Sequence, residues 1–424
     1  MLGFLLVLLF VLLFMGLPVA FALASTSILT IAIFTDIPLS ITVQRMFGSL
    51  DSFPLLAIPL FILAGTLMAT GGISKRLVNL ASAFIGHIPG GLAGVTIIAC
   101  MIFGAISGSS AATCAAIGGI MIPVMIEKGY GRTFSGATTA VAGELGSIIP
   151  PSIPMILYGA TTGTSIGALF VAGIVPGIFL AIILIIFVLI VSKRKGLVGE
   201  IKTTWKEQWE AIKDSTLALF MPFIILGGIY GGVFTPTEAA AVAVAYALFI
   251  GIFIYKELKL RDLVKIFHEA ALTTATIMVI IAAAGVFSWF LTINSIPQQV
   301  ATLIIGFTDN AMTFLLIINL LLLIVGMFFE ASSAILILAP ILFPIALKYG
   351  IDPVHLGLIF TVNLSMGMIT PPVGVDLFIS CKIAGISLEE ITKGVLPFFV
   401  LIIIHLLLVT YIPSFSLWLP NLMK

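Results

Sequence analysis

A glycine followed by tandem prolines occurs twice in the chain, within residues 146–151 and 367–372. Proline has no amide hydrogen, and its ring clashes with the carbonyl four residues earlier, so a helix that meets two prolines breaks. Within a membrane a released carbonyl is costly until it finds a partner. We predict that the two breaks leave four carbonyls unpaired: those of Gly146, Ser147, Gly367 and Met368.

A small cation is the partner that suits a cluster of carbonyl and serine oxygens. The carboxylates near the two motifs are few, with Glu144 before the first motif and Glu330 before the second. A divalent-metal site rich in acidic ligands is therefore disfavoured. The neutral oxygens predict two sodium sites.

The two motifs belong to an internal repeat in which one part of the chain is a diverged copy of the other. Residues 120–151 align with residues 341–372 at a shift of 221 positions. The identical positions are Ile120, Pro123, Gly129, Gly136, Val141, Gly146, Ile148, Pro150 and Pro151 in the first copy. An isolated double proline would indicate a simple kink, but broken helices that recur at a repeat interface are typical of secondary transporters.

The composition predicts a helical membrane protein. Hydrophobic residues make up 61% of the chain and charged residues 9%, which leaves too little polar surface to face water. The 40 glycines and 21 prolines interrupt apolar runs of helical length, without the alternation expected of a barrel. A net charge of +1 argues against a nucleic-acid partner. We expect an all-α polytopic protein surrounded by membrane lipid.

The chain divides at its one long polar stretch. We assign residues 1–192 to the first repeat, 193–214 to a polar linker and 215–424 to the second repeat. In the linker, apolar residues recur at helical spacing and predict an amphipathic helix on the membrane surface, with a solvated loop as the alternative: Ile201, Trp205, Trp209 and Ile212. The lysine and arginine residues here and at 256–265 favour the cytoplasmic side.

Each copy also contains an apolar stretch split by a small, serine-bearing tip, at Gly104–Thr113 and Gly326–Ile335. Apolar arms follow the tips as far as Ile126 and Leu347. The pattern predicts two re-entrant helical hairpins, because non-helical backbone is tolerated at membrane depth where protein or a wet cavity surrounds it. The alternative is a close crossing of helices through small residues.

Charged residues inside apolar sequence are functional candidates. Asp376 is the best-placed carboxylate for a binding site or for proton exchange, and a buried salt bridge with Lys382 or with another helix is the alternative. Arg45 could attract an anionic substrate or point to lipid headgroups. Cysteines and histidines show no metal-ligand or catalytic spacing, and no nucleotide-binding loop occurs, so we do not predict an enzyme.

Four segments resemble the large membrane subunit of the TRAP transporters, the tripartite ATP-independent periplasmic type: Asp51–Gly65, Phe103–Thr113, Gly143–Gly159 and Asn363–Ile379. The resemblance implies two inverted-topology repeats with broken helices, in an elevator-type carrier similar to the ion transporter superfamily. It also implies a location in the inner membrane of a bacterium. The expected partners are a small four-helix membrane subunit (Q) and a soluble periplasmic binding protein (P) that delivers an organic acid.

The resemblance further implies site residues. Carried onto this chain, the sodium ligands of the family fall at Ser107, Ser110, Gly146, Ile149 and Pro151 in one copy, and at Gly326, Gly367, Thr370 and Val373 in the other. The substrate, sialic acid or a four-carbon dicarboxylate, is implied to lie between the tips. Its candidate contacts are Ser109, Ser332, Ser333, Asp376 and, more weakly, Arg45. Sodium ions are the expected coupling ions, with no other cofactor, and proton coupling through Glu144, Glu330 and Asp376 is the alternative.

Overall fold

The structure is a computed structural model that describes residues 1–296, 298–299, 302, 308 and 310–423. All the regular secondary structure in these residues is helical, which confirms the predicted fold class. Nine helical stretches of the described chain are long and apolar enough to cross a membrane. Many large apolar side chains lie exposed on the outside of these helices, as expected where lipid replaces water.

The region assigned to the first repeat, residues 1–192, ends inside its last helix, which continues to Arg194. Its helices are α1 (Leu2–Phe14), α2 (Val19–Phe34), α3 (Ser40–Leu50), α4 (Ala57–Thr70, after a 3₁₀ turn at Phe53–Leu56), α5 (Ile73–Ile85), α6 (Gly91–Ser107), α7 (Ser110–Glu127), α8 (Arg132–Gly143), α9 (Leu145–Ile148), α10 (Ile153–Thr162) and α11 (Ile166–Arg194).

The second copy follows an irregular segment. Its helices are α12 (Trp205–Tyr230), α13 (Pro236–Phe249, continued by a π-helical turn at Ile250–Ile254), α14 (Leu260–Ile293), α15 (Ala311–Gly326), α16 (Ala331–Lys348), α17 (Pro353–Gly367), α18 (Val375–Ala384), α19 (Leu388–Tyr411) and α20 (Pro413–Leu422).

Both copies contain the predicted order of helix, tip, helix and broken helix. In the first copy α6 ends at a tip formed by Gly108 and Ser109, and the broken helix is interrupted at 149–152 between α9 and α10. Gly108 has φ +67°, a left-handed conformation that ends α6, and the Ser109 hydroxyl caps α7 by accepting a hydrogen bond from the Ala112 amide. The second tip spans 327–330, and the second break spans 368–374.

The two copies interlock around the breaks. The half-helix after the first break, α10, packs on α16 of the second copy, and its counterpart α18 packs on α7 of the first copy. The first broken helix is wholly buried over its most apolar window. The irregular backbone is thus enclosed by protein, which is the condition for non-helical chain at membrane depth.

A second group of helices packs along one side of this interlocked unit. The 34-residue helix α14 contacts α2, α3 and α4, and α4 in turn packs on α13. Alanines of α13 that face α4 are fully buried and allow close packing of the two helices. We call these helices, α2–α4, α13 and α14, the scaffold group.

The polar linker differs from its prediction. Ile201 lies in irregular chain, and Trp205 and Trp209 begin the 26-residue helix α12, which continues far beyond residue 214. The linker docks on α5: the Glu200 amide donates to the Gly86 carbonyl (2.9 Å), and Arg76 pairs with Asp214 (3.2 Å). A separate surface helix at 201–212 is therefore wrong, because a capping box at Thr204 starts the helix later and α12 runs on without a break.

A buried amide network ties the second hairpin to its broken helix. The Asn363 side-chain amide of α17 donates to Asn319 Oδ1 of α15 (2.7 Å), and Asn319 donates to the Thr410 hydroxyl of α19 (3.0 Å). All three side chains are buried. The first copy has Ala142 at the position corresponding to Asn363, so this network is not repeated there.

We expect Asn363→Leu to lower the free energy of unfolding by about 1–3 kcal/mol, because the buried Asn319 Oδ1 would lose the shorter of its two hydrogen bonds and keep only the one from the Thr410 hydroxyl (3.3 Å). Thermal unfolding of the purified protein in detergent measures the effect. Asn421→Ala, at an exposed position of α20, is the matched control and should unfold as the wild type does. Equal unfolding temperatures for Asn363→Leu and the wild type would show that the network does not stabilise the fold.

Candidate functional site

The first tip lies directly on the first break. The Ile153 amide, at the start of α10, donates a hydrogen bond to the Gly108 carbonyl of the tip (3.0 Å). One turn below, a Cβ atom placed on Gly104 would lie 2.7 Å from Gly146 Cα. Only glycine permits this approach of the two backbones, and the sequence therefore uses glycine on both sides.

Side-chain hydroxyls surround this contact. The Ser107 hydroxyl lies 2.9 Å from the Thr113 hydroxyl, and the Ser110 amide donates to the Ser147 hydroxyl (3.2 Å). The serines at 107 and 110 are almost fully buried. A Cβ atom on Gly108 would lie 2.9 Å from the Pro151 carbonyl oxygen, so that carbonyl faces the tip. The structure thus brings four members of the first predicted ligand set, Ser107, Ser110, Gly146 and Pro151, to one contact, and Ile149 lies in the adjacent break.

The second copy repeats the arrangement. The Val373 amide of the break donates to the Met327 carbonyl of the tip (3.2 Å). A Cβ atom on Gly326 would lie 3.1 Å from Gly367 Cα, and one on Gly367 would lie 2.5 Å from Gly326 Cα. Thr370 lies within the same break, between the two contacts. The second predicted set is therefore also brought together, and its role as a sodium site stays a prediction.

The prediction that four carbonyls stay unpaired is wrong for three of them. The Ser147 carbonyl accepts a bond from the Ser152 hydroxyl, Gly367 accepts from the Thr370 amide (2.9 Å) and Met368 accepts from the Asp376 amide (3.1 Å). Because the chain turns at each break, the Ser152 hydroxyl and the amides of Thr370 and Asp376 replace the helical donors of these oxygens. Each carbonyl oxygen has two lone pairs, so one remains for a cation.

The second tip is built around a carboxylate instead of serines. Glu330 caps α16 by accepting bonds from the Ser332 amide (3.1 Å) and the Ser332 hydroxyl (2.8 Å). An N-cap of this kind fixes the turn that leads into the helix. Glu330 therefore has a structural role in the second tip, as the N-cap of α16.

A cavity of about 690 Å³ lies between the two tips and the scaffold group. Its polar lining from the tips comprises Ser107, Ser109, Ser110, Glu330, Ser332 and Ser333. The predicted substrate serines at 109, 332 and 333 are all in this lining. The N-termini of α7, α10 and α16 also reach the cavity, which gives it the positive ends of three helix dipoles.

Two predicted substrate contacts lie elsewhere. Arg45 lines a separate groove with Trp289 on α3 and α14, and it is absent from the cavity lining. Asp376 is fully buried in α18 behind the tips. The salt-bridge alternative for Asp376 is wrong in the described residues: Lys382 is exposed, and Asp376 forms no ion pair there with Lys382 or with another helix.

The scaffold side of the cavity was missed by sequence reasoning. Thr66 of α4 and Thr273 and Thr276 of α14 supply its hydroxyl groups. On α14 the lining residues recur at helical spacing together with Ile277 and Ile280. This spacing was readable in the sequence, but α14 has small and apolar residues on its other faces too, so the stripe does not stand out.

The whole chain matches known proteins. The sequence profile "Tripartite ATP-independent periplasmic transporter, DctM component" matches residues 6–415. The chain is 45% identical over 404 residues to the isethionate TRAP transporter permease protein DctMQ of Oleidesulfovibrio alaskensis, covering 95% of this chain and 64% of that relative. It therefore spans about two thirds of the length of DctMQ.

Two further relatives match over nearly their full length. The C4-dicarboxylate TRAP transporter large permease protein DctM of Pseudomonas aeruginosa is 44% identical and is covered to 94%, as is this chain. The sialic acid TRAP transporter large permease protein SiaM of Vibrio cholerae is 39% identical, with 97% of this chain and 96% of that protein covered.

Two solved transporters share the fold at low sequence identity. MtrF of Neisseria gonorrhoeae has a TM-score of 0.58 at 15% identity and covers 90% of this chain and 83% of its own. YdaH of Alcanivorax borkumensis has a TM-score of 0.56 at 14% identity and covers 89% of each chain. The profile match and the full-length relatives show that the chain belongs to the DctM-component family of tripartite ATP-independent periplasmic transporters, as a large permease subunit.

Proposed function

We propose that this permease subunit imports a small organic anion with sodium as the coupling ion. The observation that carries the proposal is the repeated contact of a tip with a broken helix. Each copy joins tip and break through a glycine pair and one amide-to-carbonyl bond, Ile153 to Gly108 and Val373 to Met327. Two such contacts provide two clusters of neutral oxygens of the kind that bind sodium near a transport site.

The cavity between the tips suits an anion. It carries hydroxyl groups, three helix N-termini and one carboxylate, Glu330, whose oxygens accept hydrogen bonds from the Ser332 amide and hydroxyl. Among the described residues no lysine or arginine lines it. The end of a helix dipole stabilises a carboxylate or sulfonate without a side-chain cation. The names of the relatives point to C4-dicarboxylates, sialic acid or isethionate, all organic anions, as the class of substrate.

The proposed mechanism is of the elevator type. The interlocked unit that contains both tips and both breaks would move along the scaffold group, and the two copies would have inverted topology, carrying anion and sodium across together. The cavity lies where the two groups meet, because α4 and α14 supply its scaffold side and the tips supply the other. A cargo bound at this boundary can pass from one side to the other when one group slides.

The family to which the chain belongs supports a proposal about the complex in which this subunit works. Its members' names indicate tripartite, periplasmic transporters, and DctMQ names a permease longer than this chain. We therefore propose a bacterial inner-membrane complex with a small four-helix membrane subunit and a periplasmic binding protein that delivers the anion.

Proton coupling is the second candidate, and one observation favours it. Glu144 and Asp376 are both fully buried, and neither carboxylate oxygen of Glu144 has a hydrogen-bond partner among the described residues. Buried carboxylates without partners are costly when ionised, so protons could neutralise them.

Uptake by proteoliposomes that hold the complete complex separates the two candidates. With a sodium gradient and no pH gradient, we expect labelled anion to accumulate inside the vesicles. With choline in place of sodium and an inward proton gradient, we expect no accumulation. Accumulation in the second condition would support protons and overturn the sodium proposal.

A further inference from the structure

Three cavities follow one another along α14. The cavity between the tips touches α14 from Thr273 to Ile280. A second, of about 310 Å³, touches it from Ile281 to Trp289. A third, of about 540 Å³, lies at Gly285 and Trp289 and extends across α3. Since an α-helix rises about 1.5 Å per residue, the third cavity touches the helix roughly 14 to 20 Å beyond Thr276.

The second cavity lies between the scaffold group and the interlocked unit. Its far wall is formed by Ala160 and Thr161 of α10 and by Leu336 and Pro340 of α16. It shares Ser49, Gly285 and Trp289 with the third cavity. The two cavities therefore form one cleft, which runs from the surface inward along the boundary where the proposed movement occurs.

An unpaired cation lies at the mouth of this cleft. The Arg45 guanidinium lies 5.0 Å from the centre of the Trp289 ring, and Gln44 and Ser49 line the same groove. In the described part of the chain no carboxylate lies within 4.0 Å of it. The stacked ring holds the guanidinium in place, while its exposed donors can form a forked pair with a carboxylate.

The mouth opens on the outer face if the basic segments face the cytoplasm. The helix α14 begins at Leu260, between the lysines at 256–265, and it crosses the apolar layer before it reaches Trp289. By the positive-inside rule the basic end is cytoplasmic, so Arg45 and Trp289 are near the periplasmic face. An anion released outside would reach Arg45 before it could reach the tips.

We propose that Arg45, with Gln44 and Ser49, forms an outer loading site that receives the carboxylate or sulfonate of the incoming anion at the mouth of the cleft. The inference rests on the proposed import function and adds a second anion site to it. This loading site is separate from the cavity between the tips, because the two share no lining residue. The anion would bind at Arg45 first and then move on to the cavity.

A lipid phosphate is the competing occupant, since Val43 and Phe47 of α3 are exposed beside Arg45. The geometry favours the substrate. The groove has an amide and a hydroxyl beside the guanidinium, and it continues inward between two helix groups, away from the apolar face.

The test compares Arg45→Gln, Arg45→Lys and wild type in the complete complex, with its binding protein and a sodium gradient. For uptake, we expect Arg45→Gln to raise KM for the anion about tenfold with little change in the maximal rate, because a charge-assisted pair is lost. Arg45→Lys should recover part of the affinity, since it keeps the charge and loses the fork. Arg261→Gln, an exposed arginine at the other end of α14, is the control and should behave as wild type.

An unchanged KM in Arg45→Gln would overturn the loading site. A change that appears only when anionic phospholipid is varied would also overturn it, in favour of a lipid contact. Sodium dependence is measured in the same vesicles: if wild-type uptake needs no sodium, the proposed coupling fails, whereas the KM comparison still decides the role of Arg45.

Discussion

Gly367→Ala is expected to reduce sodium-driven uptake by about tenfold or more, and Gly146→Ala is expected to do the same. A Cβ atom on Gly367 would lie 2.7 Å from the Gly326 carbonyl oxygen, and one on Gly146 would lie 2.6 Å from the Ser109 carbonyl oxygen. Backbone cannot move aside as a flexible side chain can. Overpacking costs about 1–3 kcal/mol, and 1.4 kcal/mol is about tenfold in affinity, so a tip pushed off its break should bind the ion much more weakly.

Initial rates of anion uptake into proteoliposomes, measured over a range of sodium concentrations, check this prediction. Gly119→Ala is the matched control, because Gly119 lies on α7 of the same hairpin and a Cβ atom there meets nothing within 4 Å. Thermal unfolding shows whether each variant remains folded. If Gly146→Ala and Gly367→Ala both transport at the wild-type rate with the wild-type sodium dependence, these glycines are not part of the sodium sites.

The double variant Pro150→Ala/Pro151→Ala is expected to lose sodium-dependent uptake while it remains folded. Alanine restores the amide hydrogens that α9 needs to continue, so the Gly146 and Ser147 carbonyls can regain helical donors. A continuous helix would move the Ile153 amide away from the Gly108 carbonyl, so the hydrogen bond that joins the break to the tip would be lost. We expect uptake at the level of empty vesicles.

Pro123→Ala is the control for proline removal, since Pro123 is exposed within α7 and away from the break. This variant should transport as the wild type does. Retention of normal uptake by the double variant would mean that the interruption of the first broken helix is not needed for coupling.

The breaks and tips were predictable because their causes are local. Tandem prolines end a helix in any surroundings, and a glycine such as Gly108 ends one by its left-handed conformation. The tandem prolines recur 221 residues later, which favoured a working site over a simple kink, whereas Gly108 has no counterpart in the second tip. In the second copy the local signal at the tip is instead the Glu330 side chain, which caps the helix that follows.

The partners of the freed carbonyls were not predictable from the sequence. The Met368 carbonyl receives the Asp376 amide only because the chain folds back after the second break, and such closure depends on tertiary packing. Asp376 itself turns inward on α18, a helix with apolar residues on every side, so its pattern does not show which face is buried. The long side chain of Arg45 likewise gave no indication of its groove.

Binding of labelled sodium to the purified complex tests the central claim most directly, because it measures the two proposed sites without requiring transport. We predict that Gly146→Ala and Gly367→Ala each remove about half of the bound sodium, and that the double variant binds almost none, while Gly119→Ala binds as the wild type does. If the folded double variant binds as much sodium as the wild type, the paired breaks are not the sodium sites and the account is wrong.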